Sequence, residues 1–214
     1  NMEITVKNIT KVIKGTTVLD SVSMEMKSGE IVGLRGENGS GKTMLMRMIA
    51  GLIFPTQGSV QIDGRVLGRE LAFPQEMGIL LENPTFLENY TGYQNLRMLA
   101  SIQNRIGEEE IKKAIRRVGL EWDDRKKYRK YSLGMKQRLG IAAAVMEAPQ
   151  LIILDEPSNA LDDQGCEMLR QIIREEKARN ALILVSSHDG SLLEEIADTI
   201  YIMKNGHLQI TGAN

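Results

Sequence analysis

Cysteine, aromatic residues and net charge are all scarce in this sequence of 214 residues. The single cysteine, Cys166, excludes a disulfide within the chain and is typical of a protein from a reducing compartment. The formal net charge of −1 gives no reason to expect a nucleic-acid or acidic-lipid partner. No apolar run approaches the roughly 18 residues that mark a membrane span. The 42% hydrophobic content predicts an ordinary globular protein with one sizeable core.

The segment from Gly36 to Thr43 has the spacing G-x-x-x-x-G-K-S/T, which is typical of a phosphate-binding loop. Glycines let successive backbone N–H groups point into a concave space without a Cβ in the way. Lys42 would place a positive charge on the terminal phosphates, and the Thr43 hydroxyl can reach Mg²⁺ bound to them. The predicted phosphate-binding residues are Gly36, Glu37, Asn38, Gly39, Ser40, Gly41, Lys42 and Thr43.

The sequence on either side of this loop supports the same interpretation. An apolar run over 30–34 predicts a buried strand, and helical spacing over 42–50 predicts a helix that starts at the loop. The positive end of such a helix would point at the same anion. The alternative is a glycine-rich turn that matches the pattern by chance.

Asp155 and Glu156 end a fully apolar run, Leu151–Leu154, that predicts a buried strand. In open α/β sheets, ligands bind at the carboxyl ends of the strands. Two adjacent acids there are costly to desolvate without a cation, and nucleotide-bound Mg²⁺ would supply one. We therefore expect Asp155 to hold the metal shell and Glu156 to orient and deprotonate a water. The alternative is a pair of helix-capping acids.

Periodicity divides the rest of the chain into three kinds of segment. Alternating patterns over 3–7 and 21–26, with a turn at Asp63-Gly64, predict a small antiparallel β lobe. The stretch from about Tyr93 to Met146 has helical spacing. Strands and helices alternate elsewhere, which predicts a parallel α/β core with the helical stretch inserted in it.

Taken in order, these motifs resemble those of ATP-binding cassette (ABC) ATPases over essentially the whole chain. The motifs are the phosphate loop, the helical stretch, Tyr131–Arg138, Asp155-Glu156-Pro157, Ala160-Leu161-Asp162 and His188. The resemblance implies an α/β fold with a phosphate-loop (RecA-like) parallel-sheet core, a small antiparallel β lobe and an inserted helical subdomain. It implies one ABC ATPase domain over 1–214, with the helical subdomain at about 84–150.

The resemblance also implies roles for individual residues. The phosphate loop matches the Walker A motif, Asp155 the Walker B acid and Glu156 the general base. His188 matches the switch histidine that contacts the γ-phosphate; the alternative for His188 is a surface loop histidine. Glu82 falls where the family usually has a glutamine that touches the metal and relays to a membrane partner. The implied metal ligands are thus Thr43, Asp155 and Glu82.

Four further residues are implied to act across a dimer interface. Tyr131, Ser132 and Gly134 match the signature motif, which caps the nucleotide of the opposite subunit in a head-to-tail dimer. Asp162 matches the loop through which the two sites sense each other. The expected state is therefore a homodimer with ATP.

The sequence departs from the family pattern at several positions. Leu133 and Met135 replace a glycine and a glutamine of the signature, and Glu82 replaces the usual glutamine. The aromatic residue expected to stack on adenine is missing, and its region offers only Ile13 or Val12. Because stacking on an aromatic ring is worth roughly 1–3 kcal/mol, the base would be held more weakly. ATP over GTP therefore rests on the resemblance.

The signature and the stretch from Ile79 to Pro84 look most like one bacterial branch, the bacitracin-resistance and lantibiotic-immunity transporters. The implied function is a Mg²⁺-dependent ATPase subunit that drives a separate membrane permease. It would sit at the cytoplasmic face of the cell membrane, in export of, or immunity to, an antimicrobial peptide or similar compound. The alternatives are a soluble ABC ATPase acting on DNA or ribosomes and an unrelated phosphate-loop enzyme such as a small-molecule kinase.

Overall fold

A computed structural model describes residues 1–82 and 84–211, which form two β-sheets and the helices around them. The strands are β1 Glu3–Ile13, β2 Thr16–Lys27, β3 Ile31–Arg35, β4 Gln57–Ile62, β5 Arg65–Val66, β6 Met77–Leu80, β7 Leu151–Leu154, β8 Leu182–Ser187, β9 Thr199–Lys204 and β10 His207–Ile210. The helices are α1 Lys42–Ile49, α2 Gly92–Ser101, α3 Glu108–Arg117, α4 Leu133–Val145, α5 Asp163–Ala178 and α6 Ser191–Ile196.

The larger sheet has the order β10-β9-β3-β8-β7-β6, and its strands are parallel except for β10 at one edge. Strands β7 and β8 are buried along their whole length, because helices or the second sheet cover both faces. The turn at Asn205-Gly206 joins β9 to β10 at the edge of this sheet. Because the strands run in parallel, the carboxyl ends of β3, β6 and β7 meet at one edge.

The smaller sheet is antiparallel, with the order β2-β1-β4-β5. Ile4 and Val6 alternate with more exposed residues along β1, as the sequence pattern predicts. They share one hydrophobic core with Leu45 of α1 and Leu34 of β3. The antiparallel lobe therefore packs against the helix that follows the phosphate loop.

Helices α2, α3 and α4 follow the edge strand β6 in sequence and share a second core with β7 and α5. Helix α4 lies so close to β6 that the carbonyl of Ala144 leaves no room for a Cβ on Gly78. The predicted fold class is confirmed, with a parallel core, an antiparallel lobe and a helical insert. The limits of the insert at about 84 and 150 stay a prediction, and Asn83, just before it, lies outside the described residues.

Candidate functional site

A cavity of about 690 Å³ opens where the carboxyl ends of β3, β6 and β7 meet. Loop residues 37–39 and 41–43 form one wall, and Glu82, Asp155 and Glu156 lie on the strand ends beside them. The start of β2, at 16–18, forms another part of the lining. The topology therefore brings the predicted phosphate loop and both predicted carboxylates to a single cavity.

The loop places Lys42 beneath the cavity with 4% of its side chain exposed. Its ammonium donates to the carbonyl of Gly36 and pairs with Glu156 Oε1 at 2.9 Å. Gly41 has a φ of +110°, a conformation that favours glycine. Ser40 Oγ is buried, and nothing in the described part of the chain bonds to it. A cation beside an unpartnered hydroxyl suits a phosphate-bearing ligand.

Asp155 and Thr43 lie side by side at the base of the cavity. The Thr43 hydroxyl donates to Asp155 Oδ2 at 2.8 Å, and Ser186 Oγ donates to Asp155 Oδ1 at 2.5 Å. Ser186 also accepts a hydrogen bond from the backbone N–H of Glu156 at 2.9 Å. One buried serine therefore fixes both carboxylate residues, a role that the sequence patterns did not reveal.

Glu156 lies between two cationic or titratable partners. Its Oε1 pairs with Lys42, and its Oε2 is 2.9 Å from Nδ1 of His188. His188 is half exposed at the end of β8, and the neighbouring Asp189 accepts a backbone hydrogen bond from Ser191 that lowers the pKa of its carboxyl. The carboxylate of Glu156, the predicted base, thus contacts both Lys42 and the predicted switch histidine, His188.

Glu82 reaches the cavity with a left-handed φ of +58°, and its carboxylate forms an ion pair with Arg47 of α1. Within the described ranges, no group of three or more His, Cys, Asp or Glu side chains could hold a metal unaided. Mg²⁺ takes few protein ligands and fills the rest of its octahedron with water and phosphate oxygens. The adjacent Thr43 hydroxyl and Asp155 carboxylate therefore fit a nucleotide-bound Mg²⁺.

The predicted adenine contact lies at the edge of this arrangement. Ile13 ends β1 with 37% exposure and is outside the cavity lining, whereas Val18 of β2 contributes to it. Gln137 of α4 also lines the cavity and donates to the carbonyl of Pro157 at 3.0 Å. Sequence patterns missed Gln137, although it lies within the quoted signature stretch.

The signature residues lie outside the cavity of their own chain. Ser132 caps α4 by accepting from the N–H of Met135 at 3.1 Å, and Leu133 is 75% exposed beside it. A Cβ on Gly134 would lie 3.0 Å from the carbonyl oxygen of Ala160. Asp162 caps α5 with a side chain that is 74% exposed.

Tyr131 differs from the other signature residues because it is buried. Burial raises the pKa of its phenol, and its ring lies 5.7 Å from the ring of Tyr128. It therefore packs within the helical insert, and the residues after it carry the exposed surface.

Comparison with known protein families shows which family the chain belongs to. The sequence model of the ABC transporter family matches residues 19–159. The chain belongs to the ATP-binding subunits of this family. A solved chain described as the structure of the ATP binding subunit of an ABC transporter superposes with a TM-score of 0.87 at 31% identity, covering 98% of this chain and 89% of that one. The predicted family and fold are therefore confirmed.

Individual relatives agree with the predicted branch. The chain is 44% identical to the uncharacterized ABC transporter ATP-binding protein YybJ of Bacillus subtilis, over 96% of this chain and 94% of YybJ. It is 42% identical to the bacitracin transport ATP-binding protein BcrA of Enterococcus faecalis, covering 94% of this chain but only 66% of BcrA. The lantibiotic transport ATP-binding protein SrtF of Streptococcus pyogenes is 35% identical, over 95% of this chain and 87% of SrtF.

No helix in the described residues is long and apolar enough to cross a membrane.

Proposed function

We propose that this chain is a Mg²⁺-dependent ATPase and that two copies of it close around ATP to drive a membrane permease. The observation that carries the proposal is the contact chain from Thr43 through Asp155 and Ser186 to Glu156 and His188. It joins two predicted metal ligands to a predicted base and its histidine partner. Binding of a small molecule alone would need no such ordered carboxylates.

Mg²⁺, held by Thr43 and Asp155, would neutralise charge on the phosphates of the bound nucleotide. Lys42 neutralises Glu156 in the structure, with 2.9 Å between their charged atoms. When phosphate draws the Lys42 ammonium to itself, Glu156 Oε1 is freed to accept a proton from the attacking water. Ser186 keeps the backbone of Glu156 in place, and His188 holds Oε2 so that the carboxylate keeps its direction.

The predicted adenine contact stays part of the proposal. Ile13 offers an aliphatic surface where the family has an aromatic ring, so the phosphate contacts would supply most of the affinity. We expect a preference for ATP over GTP to be correspondingly small.

We define residues 36–43, Asp155, Glu156 and His188 as the Walker half of the site. Tyr131, Ser132, Gly134 and Asp162 form the signature half. Because the signature half lies outside the cavity of its own chain, we propose that each copy completes the site of a second copy. Association would then depend on ATP, since a ligand can drive dimerisation only by binding the dimer better than the monomer.

The permease contact is proposed at a groove of about 590 Å³ that adjoins Glu82. The groove is lined by Leu52, Leu81, Pro84 and Phe86, with Arg47 at its border. The family resemblance implies docking through the surface around Glu82 to Tyr93, of which Asn83 lies outside the described residues. The lining of the groove overlaps this segment at Pro84 and Phe86. An apolar groove with a charged border suits a short amphipathic segment of a partner. Docking there would hold this chain at the cytoplasmic face of the membrane.

The substrate proposal rests on the relatives. Proteins named for bacitracin transport and lantibiotic transport share 42% and 35% identity with this chain. We propose that the transporter exports an antimicrobial peptide or similar compound, or gives immunity to one.

A mixing experiment tests the shared site. Chains with Lys42→Ala or Ser132→Ala are each expected to trap no ATP, because every homodimer site lacks one half. Mixed dimers contain one intact site, formed by Lys42 of one chain and Ser132 of the other. We expect ATP trapping to return in the mixture, with dimers visible by sedimentation.

Two outcomes would contradict the proposal. The first is a Glu156→Gln chain, saturated with ATP, that stays monomeric at high concentration. The second is cross-linking of segment 82–93 to ribosomes or other cytosolic partners with no membrane protein among the products. The latter result would favour a soluble ABC ATPase.

A further inference from the structure

Arg138 of α4 contacts the ends of two other helices, α3 and α5, with one guanidinium group. Its Nη1 donates to the carbonyl of Val118, at the end of α3, at 2.6 Å. Its Nη2 lies 3.6 Å from Oδ1 of Asp162, the cap of α5. Its side chain is only 19% exposed, so the group is held in place by packing as well as by these contacts.

Gly119 and Gly165 lie close to the two terminal nitrogens of Arg138. A Cβ on Gly119 would lie 2.7 Å from Nη1, and a Cβ on Gly165 would lie 3.2 Å from Nη2. Gly119 also has a φ of +81°, which strains other residues. Two glycines therefore border the guanidinium where larger residues would crowd it.

The two parts of the signature half also meet directly. The start of α4 approaches the carbonyl of Ala160 so closely that a Cβ on Gly134 would lie 3.0 Å from it. Asp162 Oδ1, which faces Arg138, also accepts the N–H of Gly165 at 2.8 Å. The loop before α5 is thus joined to α4 at two points.

We propose that Arg138 is a positioning residue that holds Ser132 and Gly134 in a fixed relation to Asp162. The inference rests on the proposed function, because it concerns what one chain presents to the nucleotide of its partner copy. The planar fork of arginine lets one nitrogen donate to the carbonyl of Val118 while the other stays within ion-pair distance of Asp162, a geometry that the single ammonium of lysine does not match. Arg138 acts on the signature half of its own chain and leaves the Walker half of that chain unaffected.

The test uses Arg138→Met in the full chain. We expect the monomer to bind ATP within about twofold of the wild-type affinity, since the Walker half is intact. ATP-driven dimerisation and trapping should fall by about tenfold or more. Mixing Arg138→Met with Lys42→Ala should restore trapping, because the first chain supplies the Walker half and the second supplies the signature half.

Two control variants separate positioning from general damage. Arg170→Met removes an arginine of similar exposure, 23%, that pairs with Glu167 and Glu195 instead of the signature half. Its trapping should match the wild type. Arg138→Lys should trap ATP at a level between wild type and Arg138→Met, and it serves as the test if the methionine variant does not fold.

The Ser132→Ala and Lys42→Ala mixture separates the possible failures. If that mixture regains trapping but the Arg138→Met and Lys42→Ala mixture does not, the positioning role is wrong and Arg138 is a general structural residue. If neither mixture regains trapping, the shared site itself is wrong. Wild-type trapping by Arg138→Met alone would also overturn the inference.

Discussion

The two halves of the proposed nucleotide site satisfy their polar groups in different ways. In the Walker half, Lys42 and Asp155 are nearly buried, and each is bonded to other residues of the site. In the signature half, Ser132 and Asp162 serve as helix caps, and Leu133 between them in sequence is 75% exposed. A buried charge must be paired, because desolvation costs several kcal/mol per ion. A capping residue can stay solvated. The polar groups of the Walker half are therefore paired within one chain, whereas Ser132 and Asp162 of the proposed signature half stay exposed to solvent.

The helical insert that carries Tyr131, Ser132 and Gly134 is attached to the core at both ends of α5. At one end Arg138 Nη2 lies 3.6 Å from Oδ1 of Asp162. At the other end Arg117 of α3 pairs with Glu175 at 2.8 Å and with the buried Glu176 at 2.6 Å. The part of the signature half that lies on the insert is thus joined to the core by ion pairs at both ends of α5.

The largest expected effect is on the Walker half, through Glu156→Gln. A positioned base contributes about 10²–10⁴-fold, so hydrolysis should fall by that factor while ATP binding persists through Lys42 and the loop. Steady-state phosphate release and equilibrium ATP binding measure the two quantities. The matched control is Glu194→Gln, which removes an exposed acid that pairs with Arg35. Near-wild-type turnover in Glu156→Gln would remove Glu156 from the role of base.

Arg117→Met should weaken the support of the signature half. The buried Glu176 keeps Arg179 as a partner but loses a charge-assisted hydrogen bond, so the free energy of unfolding should fall by about 2 kcal/mol. Chemical denaturation measures this loss, and Arg116→Met, an exposed neighbour, should change stability by less than about 0.5 kcal/mol. Equal stability of the two variants would show that the ion pairs do not anchor the insert.

The hydrogen bonds around Arg117 and Glu175 also predict how the free energy of unfolding depends on pH. Hydrogen bonds from Gln171 and Arg117 lower the pKa of the Glu175 carboxyl in the folded state. Because this pKa is lower in the folded state than the value of about 4.3 in the unfolded chain, the ionised carboxylate stabilises the fold above about pH 4.3. This contribution is lost as the pH falls through the folded-state pKa. The loss on acidification should be smaller in Arg117→Met, because part of the shift disappears. Denaturation at pH 7 and pH 3 tests this, and an identical pH dependence would argue against it.

Leu133→Asp should affect the signature half without affecting the fold. Because Leu133 is 75% exposed, the free energy of unfolding should change by less than about 0.5 kcal/mol. A carboxylate facing the phosphates of the partner should weaken the ATP-dependent dimer by about tenfold through like-charge repulsion. Sedimentation with ATP in the Glu156→Gln background gives the dimer constant, with Leu133→Asn as the uncharged control. Equal dimerisation of the two variants would place Leu133 outside the interface.

Glu82→Gln should give the smallest change. It removes a carboxylate that pairs with Arg47, an exposed ion pair of small net worth. We expect the Mg²⁺ concentration for half-maximal hydrolysis to shift by about threefold, because one anionic group beside the metal is lost. ATP affinity measured without metal should change less. A Mg²⁺ titration and a transport assay that match the wild type would remove Glu82 from both metal binding and coupling.

Local sequence patterns predicted much of this molecule because they record local physics. The apolar run Leu151–Leu154 is a central strand, and the spacing from Gly36 to Thr43 is a loop that leads into a helix. The ends of strands were predicted less well. Strand β2 begins at Thr16, whereas the alternation predicted a strand only from Ser21. Strand pairing with β1 extends β2 beyond its own pattern.

Contacts between residues that are far apart in the sequence could be identified only from the tertiary structure. Ser186 bridges Asp155 and the backbone of Glu156 because β7 and β8 are neighbours in the sheet, although these residues lie 31 and 30 positions apart. Arg138 meets Asp162 only because the fold brings α4 close to the N-terminus of α5.

Residue types and spacing by themselves determined the family, the parallel core and the phosphate loop, because glycine torsions, apolar periodicity and charge act over a few residues. Only the tertiary structure decided that Lys42 pairs with Glu156, that Glu82 pairs with Arg47 and that the signature surface stays outside its own cavity. These outcomes depend on which strand ends and helix ends meet in space. That choice is made by the packing of the whole core, which no short stretch of sequence encodes.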